Sequence, residues 1–141
     1  MATLYLSLGT NLGDRQFNLD TALTLIGQRI GTVQNRSSVI ETEPWGFESP
    51  NSFLNMVAQV LTDLKPLDVL KATQEIEKEM GRTSKSDTEG YKDRIIDIDI
   101  LLYDDMVMDT PELKIPHPLM YKRRFVMEPL MEIAPELTKN C

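Results

Sequence analysis

At 141 residues, with 41% hydrophobic and 26% charged residues, the chain has the size and composition of one soluble globular domain with a single core. A net charge of −7 excludes general nucleic-acid binding, which needs a basic surface, but not a small phosphorylated ligand held by a local cationic cluster. Its one cysteine, Cys141, excludes an internal disulfide framework and a cysteine-based zinc site. The N-terminal MATLYL lacks the basic start of a signal peptide, and no apolar run approaches the ~20 residues that span a bilayer. A single cytoplasmic domain over residues 1–141, with no membrane or nucleic-acid partner, is expected.

Thr3 to Leu8 reads as a buried strand that ends in LGTNLGDR, residues 8–15. The two glycines with Asn11 between them and Asp14 after them predict a tight strand-to-helix turn, with an Asn cap and an acidic first turn. A phosphate loop would need Lys-Ser/Thr after the second glycine, and Asp14-Arg15 stands there instead. From Asp14 to Ile30, Leu19, Ala22, Leu23, Ile26 and Ile30 fall on one helical face, with Gly31 placed to close the helix. Val33, Val39 and Ile40 suggest a strand over 33–41.

The stretch from Glu41 to Asn51 carries Pro44, Gly46 and Pro50 and reads as a loop. Its aromatics, Trp45 and Phe47, either pack back as a lid or contact a flat ligand. Residues 53–64 alternate as a strand: Phe53, Asn55, Val57, Gln59 and Leu61 on one face, Leu54, Met56, Ala58, Val60 and Thr62 on the other. Asn55 is a polar residue on a largely apolar face. It either bonds neighbouring backbone or reads the edge of a heterocycle, because an unpaired buried amide costs about 1–3 kcal/mol.

Pro66 suits a helix's first turn, and Leu67, Leu70, Thr73, Ile76 and Met80 predict its inner face over 66–80, with Gly81 ending it. Gln74 and Glu77, three apart, share a surface beside that face. Residues 82–92 have no periodicity, and Arg82, Lys85, Lys92 and Arg94 gather cations ahead of the next element. That element, DRIIDIDILLY (93–103), reads as a strand over 94–103. Ile96, Ile98, Ile100 and Leu102 share one face, and Asp97 and Asp99 share the other, roughly 7 Å apart at Cα. Two such carboxylates suit Mg²⁺, which takes carboxylate and phosphate oxygens, and the cations beside them suit a polyphosphate. The same pattern also describes an edge strand with a solvated acidic face.

Asp104-Asp105 predicts a turn, with Met106 to Met108 as a short hairpin partner. His117, the only histidine, lies between Pro116 and Pro118, ahead of a second basic cluster at Lys122, Arg123 and Arg124. Met127 to Ile133 reads as a short helix. The order strand, helix, strand, strand, helix, strand predicts an α+β, ferredoxin-like βαββαβ core: an antiparallel sheet with its helices packed on it and long loops at the site.

Four stretches, LGTNLGDR (8–15), EIEKEMGR (75–82), DRIIDIDILLY (93–103) and IPHP (115–118), together resemble the 6-hydroxymethyl-7,8-dihydropterin pyrophosphokinase family. The resemblance runs from Leu4 to about Leu137, and Arg-x-x-Asp-x-Asp-Ile-Leu with Pro-His is its most specific part. It implies an ATP-dependent diphosphokinase of folate biosynthesis, with two Mg²⁺ ions, ATP and hydroxymethyl-dihydropterin as small-molecule partners, and a monomer. Residue by residue, it implies metal binding by Asp97 and Asp99 and catalytic roles for Arg82, Arg94, Asp97 and Asp99. Gln74, Glu77, Arg82, Lys85, Arg94, Ile100, His117 and Arg123 match nucleotide positions. Thr42, Pro44, Trp45, Phe53, Asn55 and Phe125 match the pterin pocket. Three positions depart from the family pattern: Ser84 where a second arginine is usual, Tyr91 where a loop tryptophan is usual, and Pro118 where tyrosine commonly follows the histidine.

Overall fold

A computed structural model describes residues 1–43, 51–81 and 95–138. The elements in chain order are β1 (Ala2–Thr10), α1 (Arg15–Arg29), β2 (Gly31–Arg36), β3 (Ile40–Thr42), β4 (Phe53–Thr62), α2 (Pro66–Glu79), β5 (Asp97–Tyr103), β6 (Met108–Asp109), β7 (Lys114–Ile115) and α3 (Arg124–Ile133). The main sheet has the order β2-β4-β1-β5, with β3 pairing β4, and its pairings are antiparallel. This is the expected ferredoxin-like arrangement, extended by α3. Among the described residues, no helix is long and apolar enough to cross a membrane.

The two sheet faces carry separate apolar clusters. Leu4, Leu6, Leu8, Met56, Ala58, Val60, Ile98 and Ile100 pack with Leu19, Ala22, Leu23 and Ile26 of α1 and with Val69 and Ile76 of α2. On the opposite face, Tyr5, Val57 and Leu101 pack with Val126 and Leu130 of α3. The period-two alternation of β4 and the helical face of α1 are as the sequence predicts: α1 buries one side, and β4 sends Met56, Ala58 and Val60 to one cluster and Val57 to the other.

Several local expectations are corrected. The cap of α1 is Asp14, whose carboxylate accepts the Phe17 N–H at 3.1 Å, and no acidic residue follows in the first turn. Asn11 instead donates from Nδ2 to the Asn51 carbonyl at 3.2 Å. The strand expected over 33–41 is two strands. Between them the Ser37 N–H donates to the Val57 carbonyl and the Val57 N–H donates to Ser37 Oγ, both at 2.9 Å, so a side chain takes over one rung of the ladder. Gly31 opens β2 rather than closing α1.

Helix α2 is rotated from its expected setting: Val69, Thr73, Ile76 and Glu77 are buried, whereas Leu67 is 47% exposed. The buried Glu77 carboxylate accepts the Ile98 N–H at 2.8 Å, which draws that side of the helix onto β5. The segment at Met106 to Met108 does not return onto β5, since Met108–Asp109 pairs with Lys114–Ile115 in a separate two-stranded sheet. In β5 itself, a register shift opposite Tyr5 and Leu6 leaves Leu101 as an extra residue. Leu102 therefore sits opposite Tyr5 on the α3 face, not with Ile98 and Ile100.

Two glycines give a paired test of this packing. A Cβ on Gly31 would lie 2.0 Å from the Leu61 carbonyl oxygen, whereas one on Gly27 would meet nothing within 4 Å. In denaturant melts, Gly31→Ala should lose about 2–3 kcal/mol or more, because backbone must move. Gly27→Ala should gain about 0.5–1 kcal/mol from helix propensity. Equal effects would contradict the β2–β4 contact described.

Candidate active site

The register of three strands assembles the site on the sheet face that also carries α3. Gly9 pairs with Asn55 on one side and with Asp97 on the other, and Ile40 of β3 lies beyond Asn55. One row across the sheet therefore reads Ile40, Asn55, Gly9, Asp97. The adjacent row sets Val57, Ser7 and Asp99 side by side. Residues directly opposite in a ladder share a face, so both aspartates and Asn55 stand on the same side.

Asp97 and Asp99 are half-buried. Arg123 Nη1 lies 3.8 Å from Asp99 Oδ2, and the guanidinium also sits 5.5 Å from the centre of the Phe125 ring. Arg123 is itself buried at 6% exposure, with its backbone held where α3 begins: its carbonyl accepts the N–H groups of Val126 and Met127. It thus stands between the acidic strand and an aromatic side chain. Two carboxylates on one strand face, with a buried cation beside them, fit a site for Mg²⁺ that also receives phosphate oxygens. Among the described residues, no group of three or more His, Cys, Asp or Glu gathers that could hold a metal ion.

His117 is fixed to the same strand. Its N–H donates to the carbonyl of Leu101, the extra residue of β5, at 3.0 Å. Its Nδ1 accepts the Leu119 N–H at 3.1 Å, which leaves Nε2 as the N–H donor of the neutral ring. Burial, and then the positive charge of Arg123, push its pKa down to about 4, against a smaller opposing pull from Asp97. At neutral pH it is an uncharged donor.

On the β4 side, Asn55 is buried and donates from Nδ2 to Thr42 Oγ1 at 2.7 Å, which turns its Oδ1 toward Gly9. Phe53 and Phe125 are half-buried, the one at the start of β4 and the other at the start of α3, so they flank the same face. A hollow of about 760 Å³ opens there, lined by Glu41, Thr42, Glu43, Ser52, Lys122, Arg124 and Phe125. That volume suits a small-molecule ligand.

The rim of this hollow holds residues that sequence reasoning missed. Arg15 Nη1 donates to Glu41 Oε2 at 2.9 Å and to the Ser52 carbonyl at 3.0 Å, and Ser52 Oγ also donates to Glu41. Hydrogen bonding from Ser52, then from Arg15, holds the Glu41 carboxyl below the usual carboxylate range. This cluster ties the β3 and β4 ends of the hollow to the start of α1. Nothing in the sequence connects three positions so far apart.

The remaining expected residues divide. Gln74 is exposed on α2, beside the buried Glu77. Ile100 is core on the α1 and α2 side, so only its backbone is on offer to a ligand. Pro44, Trp45, Phe47, Arg82, Ser84, Lys85, Tyr91, Lys92 and Arg94 lie outside the described residues. The departure at Pro118 lies in the short segment between β7 and the turn at Met120–Lys122.

The His117 environment sets a pH dependence. Its folded pKa is about 4 against an ordinary 6.5, so between those values the unfolded chain binds the proton and the fold does not. Stability is therefore lost as pH falls from 6.5 toward 4, and the His117 share levels off below that. Denaturant melts at pH 7 and pH 5 should show a smaller loss for His117→Gln than for the parent chain. Equal losses would contradict the buried neutral imidazole.

Comparison with known proteins identifies the family. The family model for 7,8-dihydro-6-hydroxymethylpterin-pyrophosphokinase matches residues 5–135. A curated 2-amino-4-hydroxy-6-hydroxymethyldihydropteridine pyrophosphokinase from Porphyromonas gingivalis is 52% identical over 97% of this chain and 94% of its own length. One of the same name from Bacillus subtilis is 42% identical over 97% of this chain and 81% of its own. Among solved structures, an HPPK-DHPS crystallised with substrates superposes with a TM-score of 0.75 at 17% identity, over 96% of this chain. This chain spans 40% of that longer one. A sheet face that brings two aspartates, a buried arginine and a buried amide together, on a chain this similar, leads to one assignment: the protein belongs to the 7,8-dihydro-6-hydroxymethylpterin-pyrophosphokinase family.

Proposed function

We propose that this chain transfers the terminal diphosphate of ATP to the hydroxymethyl oxygen of 6-hydroxymethyl-7,8-dihydropterin, releasing AMP and the pterin diphosphate. The observation that carries the reading is the row Asn55, Gly9, Asp97, which sets a heterocycle-reading amide and a phosphate-side carboxylate on one face of adjacent strands. On this reading the sites for both substrates adjoin, as a direct transfer between them requires. The reading takes the protein as a monomer of one domain.

On the pterin side, Thr42 fixes the Asn55 amide, and Asn55 Oδ1 is left to accept from the donor edge of the ring. Phe53 and Phe125 supply apolar faces for a flat bicycle. Pro44 and Trp45 complete the pocket by resemblance to the family. On the nucleotide side, Gln74, Glu77, Ile100, His117 and Arg123 are joined by Arg82, Lys85 and Arg94, the last three again by resemblance. The neutral His117 offers its Nε2–H to a phosphate oxygen without adding charge. Arg123 balances negative charge as the diphosphate moves, because its guanidinium reaches both the Asp99 side and the Phe125 side.

Asp97 and Asp99 would hold two Mg²⁺ ions, which supply charge neutralisation on the phosphates and acidify the attacking hydroxyl. In the chemical step, the hydroxymethyl oxygen forms a bond to the β-phosphorus of ATP. The bond from that phosphorus to the bridging oxygen of the α-phosphate breaks in line, AMP carries off the electron pair, and the hydroxyl proton passes to solvent.

Incubation with ATP, Mg²⁺ and hydroxymethyl-dihydropterin should yield AMP in step with pterin diphosphate. Release of ADP, or no nucleotide product, would rule the reaction out. Asp97→Asn and Asp99→Asn should each lower kcat at least about a hundredfold, through lost charge stabilisation. Asn55→Ala should chiefly raise the KM for the pterin, by about tenfold or more, since a buried hydrogen-bond partner is lost.

A further inference from the structure

Gly9 has no role in the reaction as described, yet it occupies the centre of the site. It lies inside a central strand, paired on both sides, a setting that glycine weakens and where its presence marks a close approach. Conformation does not explain it: among the described glycines, positive φ occurs at Gly13 and Gly81 and not at Gly9. Space does. A Cβ built there would stand 3.0 Å from Asn55 Oδ1 and 3.5 Å from Phe53 Cδ1, with backbone no nearer than 3.9 Å. Gly31 differs in kind, because its missing Cβ is excluded by the protein's own backbone. At Gly9 the missing Cβ is crowded instead by two side chains assigned to the pterin, Asn55 and Phe53.

We infer that Gly9 is a specificity-determining position: its missing side chain leaves the Asn55 amide room to meet the edge of the pterin ring, which passes close above the bare backbone. This rests on the functional reading above. A methyl group there would press on Asn55 Oδ1 and hold the ring edge off the amide. The atoms nearest that methyl belong to Asn55, Phe53 and Leu54, none of them assigned to the nucleotide, so nucleotide contacts would be kept.

Calorimetry with 6-hydroxymethylpterin, in the presence of Mg²⁺ and a nonhydrolysable ATP analogue, separates the outcomes. Gly9→Ala should bind the pterin about tenfold or more weakly, as overpacking predicts, while affinity for the nucleotide analogue stays within about twofold. In turnover, the KM for the pterin should rise more than kcat falls. A second measurement needs no variant: in the parent chain, the Gly9 Hα protons should show nuclear Overhauser contacts to the bound pterin. Unchanged pterin affinity in Gly9→Ala, or equal loss of both ligands with a lowered Tm, would overturn the assignment, as would absent contacts from Gly9. If the parent chain binds no pterin at all, the functional reading itself fails, an outcome distinct from a parent that binds and a variant that binds equally.

Discussion

Strand β5 has to satisfy two environments at once. Its pairing with β1 sets Ile98 opposite Leu8 and Ile100 opposite Leu6, in the core beneath α1 and α2. Alternation then leaves Asp97 and Asp99 on the other face, beside Gly9 and Ser7. A slip of one residue would drive both carboxylates among leucines, where the cost of burying each ion is several kcal/mol. The apolar half of the strand thus holds its acidic half in place. After Asp99 the alternation is broken at Leu101, and the α3 face changes from polar to apolar within two residues. The boundary of the site and the edge of the second apolar cluster are the same place.

Long-range polar contacts refine what that alternation sets. The Glu77 carboxylate accepts the N–H of Ile98, the residue between the two aspartates, and so fastens α2 to the outer edge of β5. The Leu101 carbonyl accepts from His117 and brings the imidazole to the same strand. Arg123 links this acidic side to Phe125. On β4, the Thr42–Asn55 hydrogen bond fixes the direction of an amide that would otherwise be ambiguous. The result is a face with a cationic and acidic half on β5 and an amide and aromatic half on β3 and β4, with Gly9 between them.

Where the two faces of an element meet different surroundings, the period of the sequence made them legible. The helical face of α1, the alternation of β4 and the two faces of β5 through Ile100 follow from period alone, and the order of elements follows from them. The two aspartates were readable for the same reason. What failed depends on partners distant in the chain. The rotation of α2 comes from Glu77 meeting a backbone N–H 21 residues away. The break between β2 and β3 comes from Ser37 bonding Val57, and the side change at Leu102 from a bulge whose cause lies in pairing. Arg15, Glu41 and Ser52 meet only because three elements end together. Gly9 looked like part of a turn, since a glycine's meaning depends on what would collide with its Cβ.

We propose that the two substrates meet over one sheet face, with the phosphate side at Asp97 and Asp99 and the pterin side at Asn55. Paramagnetic relaxation measures this directly, with Mn²⁺ in place of Mg²⁺, a nonhydrolysable ATP analogue and 6-hydroxymethylpterin bound together. The methylene protons of the pterin should relax steeply in the parent chain and lose that enhancement when Asp97→Asn and Asp99→Asn are combined. A pterin that binds but shows no relaxation by the metal, or the same relaxation without the two carboxylates, would contradict the shared face.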